Sequence, residues 1–273
     1  MPSFDITRLA DILRDASRAE TLPRFRRLEP GMVRQKAEAI DLVTEADEAA
    51  ERRIKAEVAA AWPEALFVGE ESVAADPSVL DRFDTSDFAI VVDPVDGTAN
   101  FAAGLPLYAT MASVVMKGET VAGIIYDPMG DDWVLAEKGG GAWQKRPDGS
   151  ATRLQVATAP SLDQMVGYSS IAFLPAETKP RVLANFAKVR VVANYRVAGH
   201  EYRTFAAGHA HFICYNKLMP WDHLVGTLVS QEAGGYVARF DGSPYLPSHR
   251  SGGLIVATDN DTWDLLRREV FTV

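Results

Sequence analysis

The sequence predicts a layered α/β (α+β) protein. Helical and strand-like segments alternate along most of the 273 residues, and two pairs of strand-like runs are joined by hairpin-type turns instead of helices. Hydrophobic residues make up 47% and charged residues 24%, which supplies a substantial core for one large or two modest domains.

Residues 6–22 carry Ile6, Leu9, Ala10, Leu13 and Ala16 at helical spacing. Asp41-Leu42-Val43 leads into a second helix. Thr44 suits its N-cap, and Asp47, three residues on, suits both a capping box and the positive end of the helix dipole. That helix runs through Ile54 and Val58 to Trp62 and stops at Pro63. Leu66-Phe67-Val68 reads as a short strand ending at Gly69-Glu70-Glu71-Ser72, and residues 88–92 as a buried strand leading into an Asp93-Pro94-Val95-Asp96 turn. Strands at 110–116 and 121–126 flank Lys117-Gly118-Glu119-Thr120, and strands at 133–136 and 142–145 flank Gly139-Gly140-Gly141. Pro147-Asp148-Gly149-Ser150 is the clearest linker and divides the chain into residues 1–146 and 147–273. Beyond it, strands at 165–169, 189–192, 211–214 and 254–257 alternate with helices at 180–186, 198–207, 221–233 and 261–268, the third closed by Gly234-Gly235.

The formal net charge of −9 disfavours nucleic acid and anionic membranes as partners. The single cysteine, Cys214, forms no intrachain disulfide and reads as a buried, inert thiol. No uncharged apolar run approaches the roughly 18 residues of a membrane span, and Asp5, Arg8 and Asp11 interrupt any signal-peptide core. The expected setting is cytoplasmic.

The chemistry concentrates where the strand at 88–92 meets Asp93-Pro94-Val95-Asp96-Gly97-Thr98. Two carboxylates three residues apart repel one another unless a cation lies between them, and Mg²⁺ prefers such hard oxygen ligands. A helix starting at Gly97-Thr98 adds free N–H groups suited to a phosphate. Together they predict a metal-dependent phosphoryl hydrolase. Asp47, Glu70 and Asp222 also end apolar runs; taken alone, Asp47 and Asp222 read as helix caps and Glu70 as an exposed turn residue. His209-Ala210-His211 lacks further ligands at a zinc spacing, and Gly139-Gly140-Gly141 lacks the lysine and hydroxyl of a P-loop.

Four motifs in order, Leu42-Val43-Thr44-Glu45-Ala46-Asp47, Gly69-Glu70-Glu71-Ser72, Asp93 through Phe101, and Trp221-Asp222 through Gly226 with Glu232-Ala233-Gly234-Gly235, resemble the signatures of the inositol monophosphatase family. The resemblance implies an αβαβα sandwich of the sugar phosphatase type, commonly a homodimer. It also implies a lithium-sensitive, Mg²⁺-dependent phosphomonoesterase with two or three Mg²⁺ per active site, acting on a small phosphorylated polyol or sugar through metal-activated water. One metal would use Glu70, Asp93 and the Val95 carbonyl, a second Asp93, Asp96 and Asp222, and a third Glu70 with waters. Gly97 and Thr98 would hold phosphate through their amides, and Thr98, oriented by Asp47, would help Glu70 prepare the attacking water.

Where the family selects substrate, the chain differs. Ala99 replaces a second threonine, Gly199-His200-Glu201 replaces Gly-Ser-Ala, and Tyr215 stands where inositol-specific members carry a glutamate. The resulting pocket is expected from His200, Glu201 and Tyr215, with Arg203 and Lys217; Lys36 is similar to a family lysine near the metal loop, and taken alone it reads as a solvated loop charge. Histidinol-phosphate phosphatase and 3′(2′),5′-bisphosphate nucleotidase are alternative activities on the same metal core, and a regulatory binding protein is the non-enzyme alternative.

Overall fold

The structure, a computed structural model, describes residues 4–29, 31–36 and 42–273. Asp41, expected at the approach to the second helix, and residues 1–3 of the expected charged N-terminus lie outside them.

Helix α1 spans Ile6–Ala16, capped by Asp5, and opens into a wider π turn at Ser17–Thr21, so the period read over 6–22 covers two kinds of helix. The turn brings two small hydroxyls inward: Ser17 Oγ lies 2.7 Å from Thr110 Oγ1, and Thr21 Oγ1 donates to the Ser17 carbonyl at 2.9 Å. Strands β1 (Val33–Gln35) and β2 (Leu42–Thr44) form a small antiparallel pair. Helix α2 (Glu45–Ala61) begins with the capping box of Thr44 and Asp47 and ends at Trp62. Next come β3 (Leu66–Gly69) and two helices absent from the sequence reading, α3 (Glu70–Ala75) and α4 (Ser78–Thr85).

Strand β4 runs Phe88–Asp96, four residues longer than expected, and α5 (Thr98–Ala102) follows. The expected Asp-Pro-Val-Asp turn is therefore a correction: the chain stays in the sheet through Asp96. A meander completes the large sheet with β5 (Ala109–Met116), β6 (Glu119–Asp127), β7 (Asp132–Glu137), β8 (Gly141–Lys145) and β9 (Ala151–Arg153). Its order is β3-β4-β5-β6-β7-β8-β9, parallel at β3/β4 and antiparallel elsewhere. Residues 147–150 form the turn between β8 and β9, and the boundary read between 146 and 147 falls at its start.

Beyond it lie β10 (Val166–Ser169), α6 (Lys179–Asn185), β11 (Val191–Ala193), α7 (Ala198–Ala206), β12 (Phe212–Tyr215), α8 (Pro220–Glu232), β13 (Tyr236–Arg239), β14 (Leu254–Ala257) and α9 (Asn260–Glu269). The second sheet has the order β11-β10-β12-β14-β13.

Burial sets the layers. Leu9, Leu13, Ile54 and Val58 from α1 and α2 pack on Ile90, Val92, Val114 and Ile124 of the large sheet. From its other face, Met111 and Ile125 meet Tyr202 and Phe205 of α7 and Val225 and Val229 of α8, which also cover Ile213 and Val256 of the smaller sheet. Val182 of α6 and Trp263 and Leu266 of α9 close the far side over Phe212 and Ile255. The order is helix, sheet, helix, sheet, helix, as the resemblance implies. The two sheets are held apart by α7 and α8, which are therefore buried on two sides, and α8 carries ten buried residues out of 13. Among the described residues, no helix is long and apolar enough to cross a membrane.

Candidate active site

Asp93 and Asp96 both lie on β4, where residues three apart in a regular strand face opposite sides of the sheet. The strand avoids this with a one-residue bulge. Asp93 pairs with Met111 and Asp96 with Ala109, so β4 advances three residues while β5 advances two. Pro94 lies within the bulge, where its lack of an N–H removes no ladder bond. Its carbonyl accepts from Thr110 Oγ1 at 2.9 Å, which continues the buried hydroxyl chain from Ser17. The extra residue brings the two aspartates together. Asp222, in the first turn of α8, joins them, and one oxygen from each of Asp93, Asp96 and Asp222 lies within 4.8 Å of the others.

Burial dominates the electrostatics. It raises the Asp93 and Asp222 carboxyls well above the usual carboxylate range, with Glu70 and the neighbouring aspartates adding to the shift. It pushes Asp96 up to about 7, against the amides of Gly199 and Ala198. Those amides, 2.5 and 3.1 Å from the Asp96 oxygens, belong to the first turn of α7, so Asp96 also anchors that helix. Two buried carboxylates and a half-buried one, all oxygen donors whose charges repel, fit a hard divalent cation such as Mg²⁺, which would restore the ionised forms.

Glu70 is not one of the trio, although it lines the same cleft. Its Oε1 accepts from Lys36 Nζ at 2.8 Å, and Glu71 Oε1 does so at 2.6 Å. Burial opposes the Lys36 charge, but Glu70 and Glu71 outweigh it and hold the ammonium above its ordinary value. Lys36 is thus a site residue rather than a solvated loop charge. Val95 lines the cleft, and its carbonyl lies 3.0 Å from Thr98 Oγ1.

The single Thr98 hydroxyl proton goes to the shorter contact, Asp47 Oδ1 at 2.8 Å. Asp47 is 1% exposed, and burial pushes its carboxyl up to about 6 despite bonds from Thr44 and Thr98. The helix cap and the site contact are one side chain: Oδ2 closes the capping box and Oδ1 holds Thr98. Gly97, the N-cap of α5, has φ +90°, and a Cβ there would overlap the Val197 side chain. Gly97→Ala is expected to destabilise the fold by about 2 kcal/mol or more in urea unfolding, since strain at positive φ adds to the clash. An unchanged midpoint would contradict this account.

The cleft measures about 1020 Å³. Glu201 and Tyr215 line it, and the Tyr215 hydroxyl donates to Glu201 Oε2 while the Tyr195 N–H donates to Oε1 at 2.7 Å. Burial pushes the Glu201 carboxyl up to about 7. Arg196 and Lys217 are also in the lining, and Ile171, Ala172 and Phe173 form an apolar wall.

A sequence model described as the inositol monophosphatase family matches residues 8–270. The chain belongs to that family. It is 33% identical over 206 residues to an inositol-1-monophosphatase of Mesorhizobium japonicum, covering 74% of this chain and 73% of that protein. It is 32% identical over 206 residues to the Nus factor SuhB of Escherichia coli K12, with the same coverage. The solved extragenic suppressor protein suhB from Bartonella henselae superposes with a TM-score of 0.83 at 28% identity, covering 97% of each chain.

Each of the four motifs thus sends at least one residue to this cleft, although Glu232 binds the Gly139 and Gly141 amides instead, and two residues of the expected substrate pocket do not reach it. His200 is not in the lining: it faces the large sheet, where its Nε2 lies 3.1 Å from the Tyr108 carbonyl. Helical geometry explains this, because His200 and Glu201 are adjacent on α7 and point about 100° apart. Arg203 is also drawn to the sheet, where it pairs with Asp132. Sequence reasoning missed Arg196, Phe173 and Glu51. Only Glu51 carried a signal, its position four residues beyond Asp47 on the same helical face.

Proposed function

We propose that the protein is a Mg²⁺-dependent phosphomonoesterase acting on a small polyol or sugar phosphate. Family membership supports a phosphatase, and the convergence of Asp93, Asp96 and Asp222 carries the metal-dependent reading. Asp93, Asp96 and Asp222 would hold one cation, and Glu70, Asp93 and the Val95 carbonyl another. Bound there, Mg²⁺ supplies charge neutralisation for the phosphoryl oxygens and a lowered pKa for water. The chain contributes position and proton acceptance. Gly97 and Thr98 present first-turn amides to the phosphate, which favours charge developing on its oxygens. The Thr98 proton goes to Asp47 Oδ1, leaving the Oγ lone pairs free to accept from a water whose other proton goes to Glu70. Glu201 and Tyr215 read the leaving alcohol. In this scheme residues 1–146 carry most ligands and residues 147–273 add Asp222 and the pocket.

The test is phosphate release from inositol 1-phosphate, histidinol phosphate, fructose 1,6-bisphosphate and adenosine 3′,5′-bisphosphate, with and without Mg²⁺. Mg²⁺-dependent turnover is expected, and a tenfold preference, about 1.4 kcal/mol, assigns the substrate. Absence of release from every ester overturns the reading. It would favour a second one, a partner-binding protein, which rests on the relative named Nus factor SuhB.

A further inference from the structure

Helix α3 begins at Glu70 without a capping side chain of its own, because its N-cap is Gly69. The missing acceptor comes from another helix. Glu51 of α2 is 4% exposed, and its two carboxylate oxygens accept from the N–H groups of Glu71 and Ser72, each at 2.7 Å. These are the second and third amides of α3, the pair that an N-cap serine or aspartate would satisfy. The fit requires glycine at position 69, since a Cβ there would overlap the Glu51 carboxylate.

Glu51 lies one turn beyond Asp47 on the same buried face of α2. Asp47 holds Thr98 at the start of α5, and Glu51 holds the residues that follow Glu70 at the start of α3. One rigid helix therefore fixes the first turns of two short helices, each of which begins with a site residue. A six-residue and a five-residue helix have little stability alone, so their placement depends on such anchors.

We infer that Glu51 is a positioning residue for Glu70: it sets the Glu70 carboxylate against the aspartate trio and so tunes cation affinity. This rests on the phosphatase reading only in the use made of the cation. The placement of Glu70 is a matter of geometry. A carboxylate with two acceptor oxygens suits two converging N–H groups. An amide of the same shape offers one acceptor and turns its NH₂ against the other N–H, so Glu51→Gln loosens the turn without opening a cavity.

The experiment compares the parent, Glu51→Gln, Glu70→Gln and the double variant. Mg²⁺ binding is read by calorimetry without substrate, alongside the Mg²⁺ dependence of phosphate release and the Tm of the metal-free protein. Glu51→Gln is expected to melt within about 3 °C of the parent, to bind Mg²⁺ about tenfold more weakly, and to need about tenfold more Mg²⁺ for half-maximal turnover. The kcat at saturating Mg²⁺ should fall less than about threefold, because the repositioned Glu70 is recovered once the cation is bound. In the Glu70→Gln background the Glu51 change should add little, since the group it places is already altered. Unchanged Mg²⁺ affinity beside a lowered Tm overturns the proposal, and so does full additivity of the two changes. If the parent hydrolyses no ester, the phosphatase reading fails alone, and calorimetry still decides the role of Glu51.

Discussion

Replacing Asp93 with asparagine is expected to remove Mg²⁺-dependent phosphate release while making the metal-free protein more stable. The two effects share one cause. Asp93 is 2% exposed and raised above the usual carboxylate range by burial first, then by Glu70, Asp96 and Asp222. An asparagine keeps the shape and the Oδ1 that accepts from the Val95 N–H at 3.0 Å. It removes a group that in the folded metal-free protein must either carry a poorly solvated charge its neighbours repel or take up a proton the unfolded chain releases. Without metal that is a relief of about 1–2 kcal/mol, seen as a rise in Tm of about 3–6 °C for a chain of this size. With metal it is the loss of a ligand proposed to serve two cations. A fall in kcat/KM of about 10³ or more, roughly 4 kcal/mol of transition-state stabilisation, is expected. Turnover within threefold of the parent would contradict the assignment, and a lower metal-free Tm would contradict the electrostatics.

The second large effect is a dependence of stability on pH that Mg²⁺ reverses. The folded pKa values of Asp93 and Asp222 are well above the ordinary 3.8, Asp96 is raised to about 7, and Glu71 is raised from 4.5 to about 8. A carboxyl with a raised folded pKa keeps a proton that the unfolded chain releases. Its contribution is full below the unfolded pKa and is lost as pH rises through the folded value. Buried His223, pushed down to about 4, works in the opposite direction between pH 4 and its ordinary 6.5. Asp131, held down to about 2 by Arg14, loses its contribution only in stronger acid. The carboxyls therefore dominate in the window between pH 6.5 and 8, where they still release protons and the opposing effect of the histidine fades. In EDTA, stability should fall across it on the order of 1.4 kcal/mol per pH unit for each proton still held, and the Tm should drop by about 5 °C or more. Mg²⁺ binds the ionised cluster, so the Tm gained on adding it should grow from pH 6.5 to pH 8. A flat metal-free profile, or a Mg²⁺ effect that shrinks as pH rises, would refute the account.

Much of the site was legible because its carboxylates terminate apolar runs, a pattern visible without coordinates. Thr44 and Asp47 show both the reach and the limit of this. Their spacing predicts a capping box, and the structure contains it, but the second oxygen of Asp47 reaches Thr98, 51 positions away in the chain. Lys36 read in isolation is a loop charge, and only proximity to Glu70 and Glu71 makes it part of the cleft. His200 was misplaced for a related reason: its neighbour Glu201 takes the pocket side of α7, which leaves the imidazole on the sheet side. Helix α3 left no trace in the sequence, because its cap is borrowed from α2.

The sequence by itself determined the alternation of strands and helices, the capping of α2, and which carboxylates to look for together. Those follow from local periodicity and from chemistry that a short segment carries with it. Only the tertiary structure decided that β4 bulges at Pro94, that the bulge turns Asp93 and Asp96 to one side, and that α8, buried between two sheets, delivers Asp222 to them. The physical reason is that register and burial are set by partners far along the chain, and the same burial that gathers the carboxylates raises their pKa values.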